Sequence, residues 1–122
     1  MRPFIYGYTE DLRPITDLWE WSDLIESDRR IARADLGCVL VRTSFLAMHD
    51  GHLQIGLGPH TSPRPFGTIV QLLPTAPRAL SEWSDVEFFY ASRDEALLGH
   101  ARVVSQLSRL LDAHPPVTNE EG

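Results

Sequence analysis

Residues 84–111 join an apolar run to a long amphipathic segment, and they constrain the fold more than any other stretch. Val86–Ala91 has the length and the aromatic content of a buried strand. The polar break at Ser92–Glu95 offers a capping residue and acidic side chains for the first turn of a helix. Apolar residues then recur at helical spacing, at Leu97, Ala101, Val104, Leu107 and Leu111. The sequence therefore predicts a strand that runs into a helix, which is half of a βαβ unit.

A single globular domain is the organisation that the length and composition predict. The chain has 122 residues, of which 43% are hydrophobic, and this suits one domain with one core. We predict that this domain covers residues 1–113 and that residues 114–122 form an acidic, flexible tail. Because the net charge is −6, the chain lacks the basic surface of a free-standing duplex-DNA binder, so DNA is not an expected partner.

Cys38 is the only cysteine, and it lies in a predicted strand. It cannot form a disulfide within one chain, so we expect a buried thiol in a reducing compartment. No apolar run approaches the ~18 residues of a membrane-spanning helix. The N-terminal stretch has no hydrophobic signal core. The sequence therefore predicts a cytoplasmic protein that does not engage a membrane.

Strands and helices alternate along the rest of the chain. This alternation predicts a mostly parallel α/β sheet flanked by helices, with a β-hairpin insertion. The first predicted element is a strand at Pro3–Tyr8, in which Gly7 allows close approach. A helix follows from Ile15 or Thr16, with Thr16 or Asp17 as its cap, and it ends near Gly37. The next elements are a strand from Cys38 to Phe45 or Met48, a hairpin turn at Asp50-Gly51 and a return strand up to Leu57.

Residues 67–73 fit two kinds of secondary structure. Phe66, Ile69, Val70 and Leu73 have the i, i+3, i+4, i+7 spacing of a helix face, after a loop rich in glycine and proline. Thr68–Leu73 taken alone fits a strand equally well. The helix is favoured, because a proline in the first turn is a common way for a helix to begin.

Three stretches resemble the catalytic domain of serine recombinases, the resolvase/invertase family. Phe4–Tyr8 is similar to the first strand of that domain. Ser62–Phe66 followed by Ile69–Leu73 is similar to its segment with the pattern R-P-x-F-x-x-L-L. Val86–Glu95 is similar to its later strand and the acidic motif that follows. The resemblance implies a resolvase-like fold from about residue 2 to residue 111.

The family's catalytic residues are mostly replaced. In serine recombinases a serine attacks the DNA phosphodiester while arginines hold the phosphate. Arg64 and Asp94 match the family's arginine and aspartate, but Leu12 stands in place of the serine. Glu10 and Glu95 stand in place of arginines, and they would repel a phosphate. The resemblance therefore implies a non-catalytic domain that acts through protein contacts, either with a second copy of itself or with a regulatory partner.

An alternative function is a small enzyme, or a protein that binds an anion or another ligand at the predicted strand ends. A loop that precedes a helix can hold an anion at the helix N-terminus. Helix capping is the simpler role for a serine and an aspartate at the start of a helix. The candidate residues are His60 and Arg64 in loop 56–64, and Ser92 and Asp94 at the strand end 91–95.

The histidines near residue 50 do not predict a metal site. His49, His52 and His60 lie close to Asp50, but their spacing crosses a turn and includes no cysteine. We interpret them as polar turn residues and expect no metal and no other cofactor.

Trp19 and Trp21 form a candidate interaction surface. They are two residues apart on a predicted helix, so they cannot share one face and one of them is expected to point outward. An exposed tryptophan is a common anchor at protein interfaces.

A third possible function rests on charge alone: small acidic immunity or antitoxin-type proteins neutralise basic toxins.

Overall fold

The computed structural model describes residues 4–51 and 63–115, which form two antiparallel sheets and two α-helices. Short 3-10 helices at His49–Gly51 and Arg78–Trp83 connect some of these elements. The strands are β1 (Gly7–Tyr8), β2 (Pro14–Ile15), β3 (Arg30–Asp35), β4 (Val39–Phe45), β5 (Phe66–Leu72) and β6 (Glu87–Tyr90), and the helices are α1 (Leu18–Glu26) and α2 (Arg93–Ala113).

The main sheet has the strand order β3-β4-β5-β6, and every neighbouring pair is antiparallel. The predicted mostly parallel, resolvase-like sheet is therefore wrong. Its first half failed because the predicted long helix ends at Glu26 and Arg30–Asp35 forms a strand instead. Gly37, with φ at 90°, then turns the chain directly back into β4, where the prediction had placed the end of a helix.

The favoured helix at residues 67–73 is also wrong, because this segment is β5. Phe66, Thr68 and Val70 are buried on one face of the sheet, whereas Ile69 and Gln71 lie on the other face. The apolar residues fit a period of two as well as a period of 3.6. Pairing with β4 on one side and β6 on the other decides for the strand.

The predicted hairpin turn at Asp50-Gly51 is a 3-10 turn, in which Asp50 has φ at 52°. Gly51 lies close to the side chains of Leu46 and Phe89, so this turn covers one corner of the sheet. The predicted return strand at 52–57 lies outside the described residues. A tight hairpin at Gly37 joins β3 to β4.

Helix α2 covers one face of the main sheet. Val103 and Leu107 pack on Val39, Val41 and Val70 to form the main core. A second cluster of core residues joins the helix to α1 and the strand ends, at Phe45, Ala47, Phe66 and Ala96, with Trp21 and Leu24 packed against it.

The predicted start of α2, with Ser92 as its capping residue, is confirmed. The Ser92 hydroxyl accepts a hydrogen bond from the backbone N–H of Glu95 at 3.1 Å. The Glu95 carboxylate accepts one from the N–H of Ala91, also at 3.1 Å. These two bonds satisfy N–H groups at the start of the helix that would otherwise lack partners, and such a cap contributes about 1 kcal/mol.

The small β1-β2 sheet and α1 pack at one end of the main sheet. A β carbon on Gly7 would lie 2.1 Å from the carbonyl oxygen of Ala47, which confirms the predicted close approach. The neighbouring N–H of Tyr8 donates to that same carbonyl at 2.8 Å. Asp17 caps α1 by accepting from the N–H of Trp19 at 3.0 Å, as one of the two predicted alternatives. No helix in residues 4–51 or 63–115 is long and apolar enough to cross a membrane.

Candidate functional site

The residues of the predicted ligand site serve mainly structural roles. Because Phe66 pairs with Tyr90, the segments that hold Arg64 and Ser92 lie at the same end of the sheet. The Arg64 guanidinium, however, donates to Asp50 at 2.6 Å, and Ser92 caps α2.

The structure describes one of the other two candidates. Asp94 lies exposed in the first turn of α2. His60 lies outside the described residues. Among the residues that are described, no hydrogen bond joins Arg64 to Ser92 or Asp94, and no cluster of three metal-ligating side chains occurs. Glu10, which the resemblance to serine recombinases predicts in place of an arginine, is ion-paired with Arg93 at 2.9 Å.

The two candidate interface tryptophans have different environments. Trp19 is 76% exposed and points outward, next to the exposed Leu18. Trp21 is half-buried and stacks on Tyr6, with ring centroids 6.4 Å apart. The prediction that one of the pair faces outward is confirmed. The apolar surface at this place consists of Leu18 and Trp19.

The face of the main sheet that points away from α2 carries two arginines, Arg33 and Arg42, that form no salt bridge among the described residues. We call its β3–β4 part, with one residue of β5, the arginine face (Arg30, Arg33, Arg42, Ser44 and Ile69). Among the described residues, the turn at Gly51 and the side chain of Leu46 pack near this side of the sheet. From β3 toward β6, its side chains form three rows: Arg30, Ser44, Gly67 and Phe89; then Arg33, Arg42, Ile69 and Glu87; then Asp35, Leu40 and Gln71.

The middle row places two like charges directly opposite each other. Arg33 and Arg42 are cross-strand partners, and directly opposed residues have β carbons only about 5 Å apart. Neither guanidinium has a carboxylate within ion-pair distance among the described residues, and Arg42 donates only to the amide oxygen of Gln71, at 3.2 Å. Such opposition is locally unfavourable. A carboxylate supplied from outside the chain would relieve it.

The third arginine of this face is already neutralised. Arg30 donates two hydrogen bonds of 2.9 Å to Asp28, and these bonds lower the pKa of the Asp28 carboxyl to about 2. The Asp28 carboxylate therefore keeps its charge at any physiological pH. The uncompensated positive charge of the face is confined to Arg33 and Arg42.

A groove of about 490 Å³ runs along the arginine face. Its walls combine guanidinium groups with the side chains of Ser44 and Ile69, which lie on this face of the sheet. This mixture suits a protein segment that brings both a carboxylate and apolar atoms. The groove is lined by Arg30, Ile31, Ala32, Arg33, Arg42, Thr43, Ser44 and Ile69.

Beneath α2, on the opposite side of the sheet, three polar groups form a buried chain. Thr43 and Thr68 share a hydroxyl–hydroxyl bond of 2.5 Å, and Thr43 is also 2.8 Å from Nδ1 of His100. Both threonines are buried. Burial lowers the pKa of the His100 imidazole, so the neutral ring is favoured in the folded protein. His100 is therefore a half-buried histidine whose ring has a hydrogen-bond partner in the core.

Stability is expected to fall on acidification because of His100. Its folded-state pKa lies below the unfolded value of about 6.5, so the unfolded chain takes up the proton more readily. The stabilising contribution is complete above that unfolded value and is lost as the pH falls through the folded one. We expect the urea midpoint of the wild type to drop more than that of His100→Gln between about pH 7.5 and about pH 5.5. Equal drops in both proteins would contradict the assignment.

The sequence did not predict the arginine face, because its members come from three strands. Arg33 and Arg42 are nine positions apart in the chain, and only the pairing of β3 with β4 brings them together. The sequence does contain one sign of this strand: Ala32, Arg33, Ala34 and Asp35 alternate before a glycine with the period of a strand.

Comparison of the chain with protein-family models, curated proteins and solved structures finds no match.

Proposed function

We propose that this chain is a non-catalytic protein-interaction domain, and that its arginine face binds a protein partner through a carboxylate placed beside Arg33 and Arg42. The direct opposition of these two arginines, without a carboxylate of the described residues within ion-pair distance, is the observation that carries the proposal. A partner carboxylate would add charge-assisted hydrogen bonds and remove the repulsion. The groove next to the pair gives room for the partner's apolar atoms.

The order of charges across the sheet favours a protein over a nucleic acid. The middle row passes from two arginines through Ile69 to Glu87, and the next row starts with Asp35. A phosphate backbone would meet these acids as well as the arginines, and the chain as a whole carries a net charge of −6. A protein can place opposite charges and apolar atoms at the matching points.

The other two predicted functions have weaker support. An enzyme that uses Arg64, Ser92 and Asp94 would need side chains that are free to meet a substrate, yet two of them are engaged in an ion pair and a helix cap. An immunity-type protein that neutralises a basic toxin would need an acidic contact surface, whereas the uncompensated charge of the arginine face is positive. The cytoplasmic location expected from the sequence is part of the proposal.

Binding of an acidic peptide tests the proposal. The probe is a short peptide of alternating glutamate and threonine, and its control has glutamine in place of glutamate. We expect the double variant Arg33→Ala/Arg42→Ala to bind the glutamate peptide about tenfold more weakly than the wild type, a loss of about 1.4 kcal/mol. Isothermal titration at physiological salt measures this change.

A matched variant separates site binding from general charge. Arg102 and Arg109 are exposed on the outer surface of α2, and their replacement by alanine removes the same two positive charges. We expect Arg102→Ala/Arg109→Ala to bind the peptide like the wild type, because surface charges beyond a Debye length are largely screened. Equal weakening by both double variants would overturn the proposal, as would tighter binding of a single-stranded oligonucleotide than of the glutamate peptide.

A further inference from the structure

The outer edge of β3 is unpaired among the described residues. Strand β3 pairs with β4 on one side, and no described strand pairs with it on the other. The N–H of Leu36 donates to the carbonyl of Val39 at 2.9 Å, which makes this the first hydrogen-bonded pair of the hairpin. Because such pairs alternate along antiparallel strands, Ala34 bonds to β4 while the N–H and C=O groups of Arg33 and Asp35 point outward. The edge therefore offers a row of backbone donors and acceptors to another strand.

The side chains of β3 make this edge complementary to itself. Arg33 and Asp35 lie two residues apart on the face of the sheet that points away from α2, with opposite charges. Ala32, Ala34 and Leu36 are half-buried, and Ala34 and Leu36 pack against the core on the α2 side. A second copy of β3 that runs antiparallel to the first can keep charged residues on one face and apolar residues on the other.

Only one local register of that pairing matches the charges. A two-fold axis at Arg33 would oppose arginine to arginine, and an axis at Asp35 would oppose aspartate to aspartate, both of which are unfavourable. An axis at Ala34 places Arg33 of each copy directly opposite Asp35 of the other. It also places Ala34 against its own symmetry mate and Ala32 against Leu36, so the apolar side stays apolar.

We propose that two copies of this chain associate through β3 about a two-fold axis at Ala34, which joins their sheets into one continuous antiparallel sheet of eight strands. Asp35 of each copy then supplies the carboxylate that the Arg33–Arg42 pair of the other copy lacks. The inference rests on the proposed function, since it names a second copy as the partner of the arginine face. The interface is isologous, as in most homodimers.

Charge-swap variants test the pairing. In Arg33→Asp, both positions of the edge are acidic, and in Asp35→Arg both are basic, so each single variant opposes like charges in the Ala34 register. We expect the wild type to show a concentration-dependent dimer in sedimentation equilibrium, and each single variant to dimerise at least tenfold more weakly, which corresponds to about 1.4 kcal/mol. Arg102→Asp, which changes the net charge as Arg33→Asp does but on α2, is expected to dimerise like the wild type.

Mixing the two single variants distinguishes a weakened interface from a folding defect. Asp35 also accepts a hydrogen bond from the N–H of Gly37 at 2.9 Å, so Asp35→Arg weakens the hairpin as well as the interface. An equimolar mixture of Arg33→Asp and Asp35→Arg pairs opposite charges again, and we expect it to form a heterodimer. The double variant Arg33→Asp/Asp35→Arg is likewise expected to recover the homodimer.

Two outcomes would overturn the pairing. One is a wild type that stays monomeric at the highest accessible concentration, and the other is a pair of single variants that dimerise as well as the wild type and gain nothing on mixing. Either outcome, together with peptide binding that still depends on Arg33 and Arg42, would leave the proposed function standing with a different partner. If peptide binding also did not depend on Arg33 and Arg42, both the pairing and the proposed function would be contradicted.

Discussion

Replacing Leu107 by alanine is expected to lower the free energy of unfolding by about 3 kcal/mol. Leu107 has no exposed surface, and it packs in the core that joins α2 to β4 and β5. Its truncation removes buried apolar atoms and leaves a cavity between a helix and a hydrogen-bonded sheet, neither of which can collapse easily. Equilibrium urea denaturation followed by circular dichroism measures the loss.

Leu98→Ala is the matched control on the same helix. Leu98 is 53% exposed, so the same chemical change there should cost no more than about 0.5 kcal/mol. Similar losses at both positions would mean that α2 presents a different face to the sheet. The face toward the sheet is essential to the proposed function, because α2 covers one side of the sheet and leaves the arginine face on the other.

Gly7→Ala is expected to destabilise the protein by about 3 kcal/mol, although it adds a single methyl group. The added carbon would lie 2.1 Å from the Ala47 carbonyl oxygen and 2.4 Å from Cζ3 of Trp21. The carbonyl belongs to the backbone and accepts the hydrogen bond from Tyr8, so it cannot move aside without breaking that bond. Thermal unfolding monitored by tryptophan fluorescence would report the loss and the displacement of Trp21 together.

Gly37→Ala is the control for the general cost of replacing a glycine. A β carbon on Gly37 meets no atom within 4 Å, but φ at this residue is 90°. The change should therefore cost only the backbone strain of about 1 kcal/mol. A smaller loss for Gly7→Ala than for Gly37→Ala would contradict the packing of β1 against the segment around Ala47.

Sequence reasoning succeeded where one local interaction determines the structure. The strand before residue 91, the cap at Ser92 and the helix to Ala113 follow from hydrophobic period and capping chemistry within a few residues. The strand is not buried as predicted, because β6 lies at the edge of the sheet and Phe88 is 36% exposed. The close approach at Gly7 was likewise foreseeable, since a glycine among strand-forming residues often marks a near contact. The burial of the Cys38 thiol agrees with its apolar surroundings in the sequence.

The direction of the strands could not be obtained in this way. Residues 29–36 contain charged side chains that suit the end of a helix, and only their pairing with β4 makes them an edge strand with an arginine on one face. Residues 66–72 satisfy both periods, and partners on both sides decide between them. Once these two segments become strands joined by turns to their neighbours, an antiparallel sheet replaces the parallel one.

The candidate site depends on the same missing information. Arg64, Ser92 and Asp94 carry chemically suggestive groups, but the structure uses them for an ion pair, a cap and a helix start. The arginine face was invisible because the opposition of Arg33 and Arg42 exists only once the pairing of two strands is known.

The buried chain of Thr43, Thr68 and His100 has a consequence for the uniqueness of the fold. The two threonines are direct partners across β4 and β5, and the imidazole comes from the helix above them. A shift of one residue in the register of β4 would turn the side chain of Arg42 or Ser44 into the core and leave buried polar groups without hydrogen-bond partners. Apolar side chains tolerate many similar packings, whereas these three groups are satisfied together in one arrangement. They thereby select a single alignment of helix and strands among the many that hydrophobic burial alone would allow.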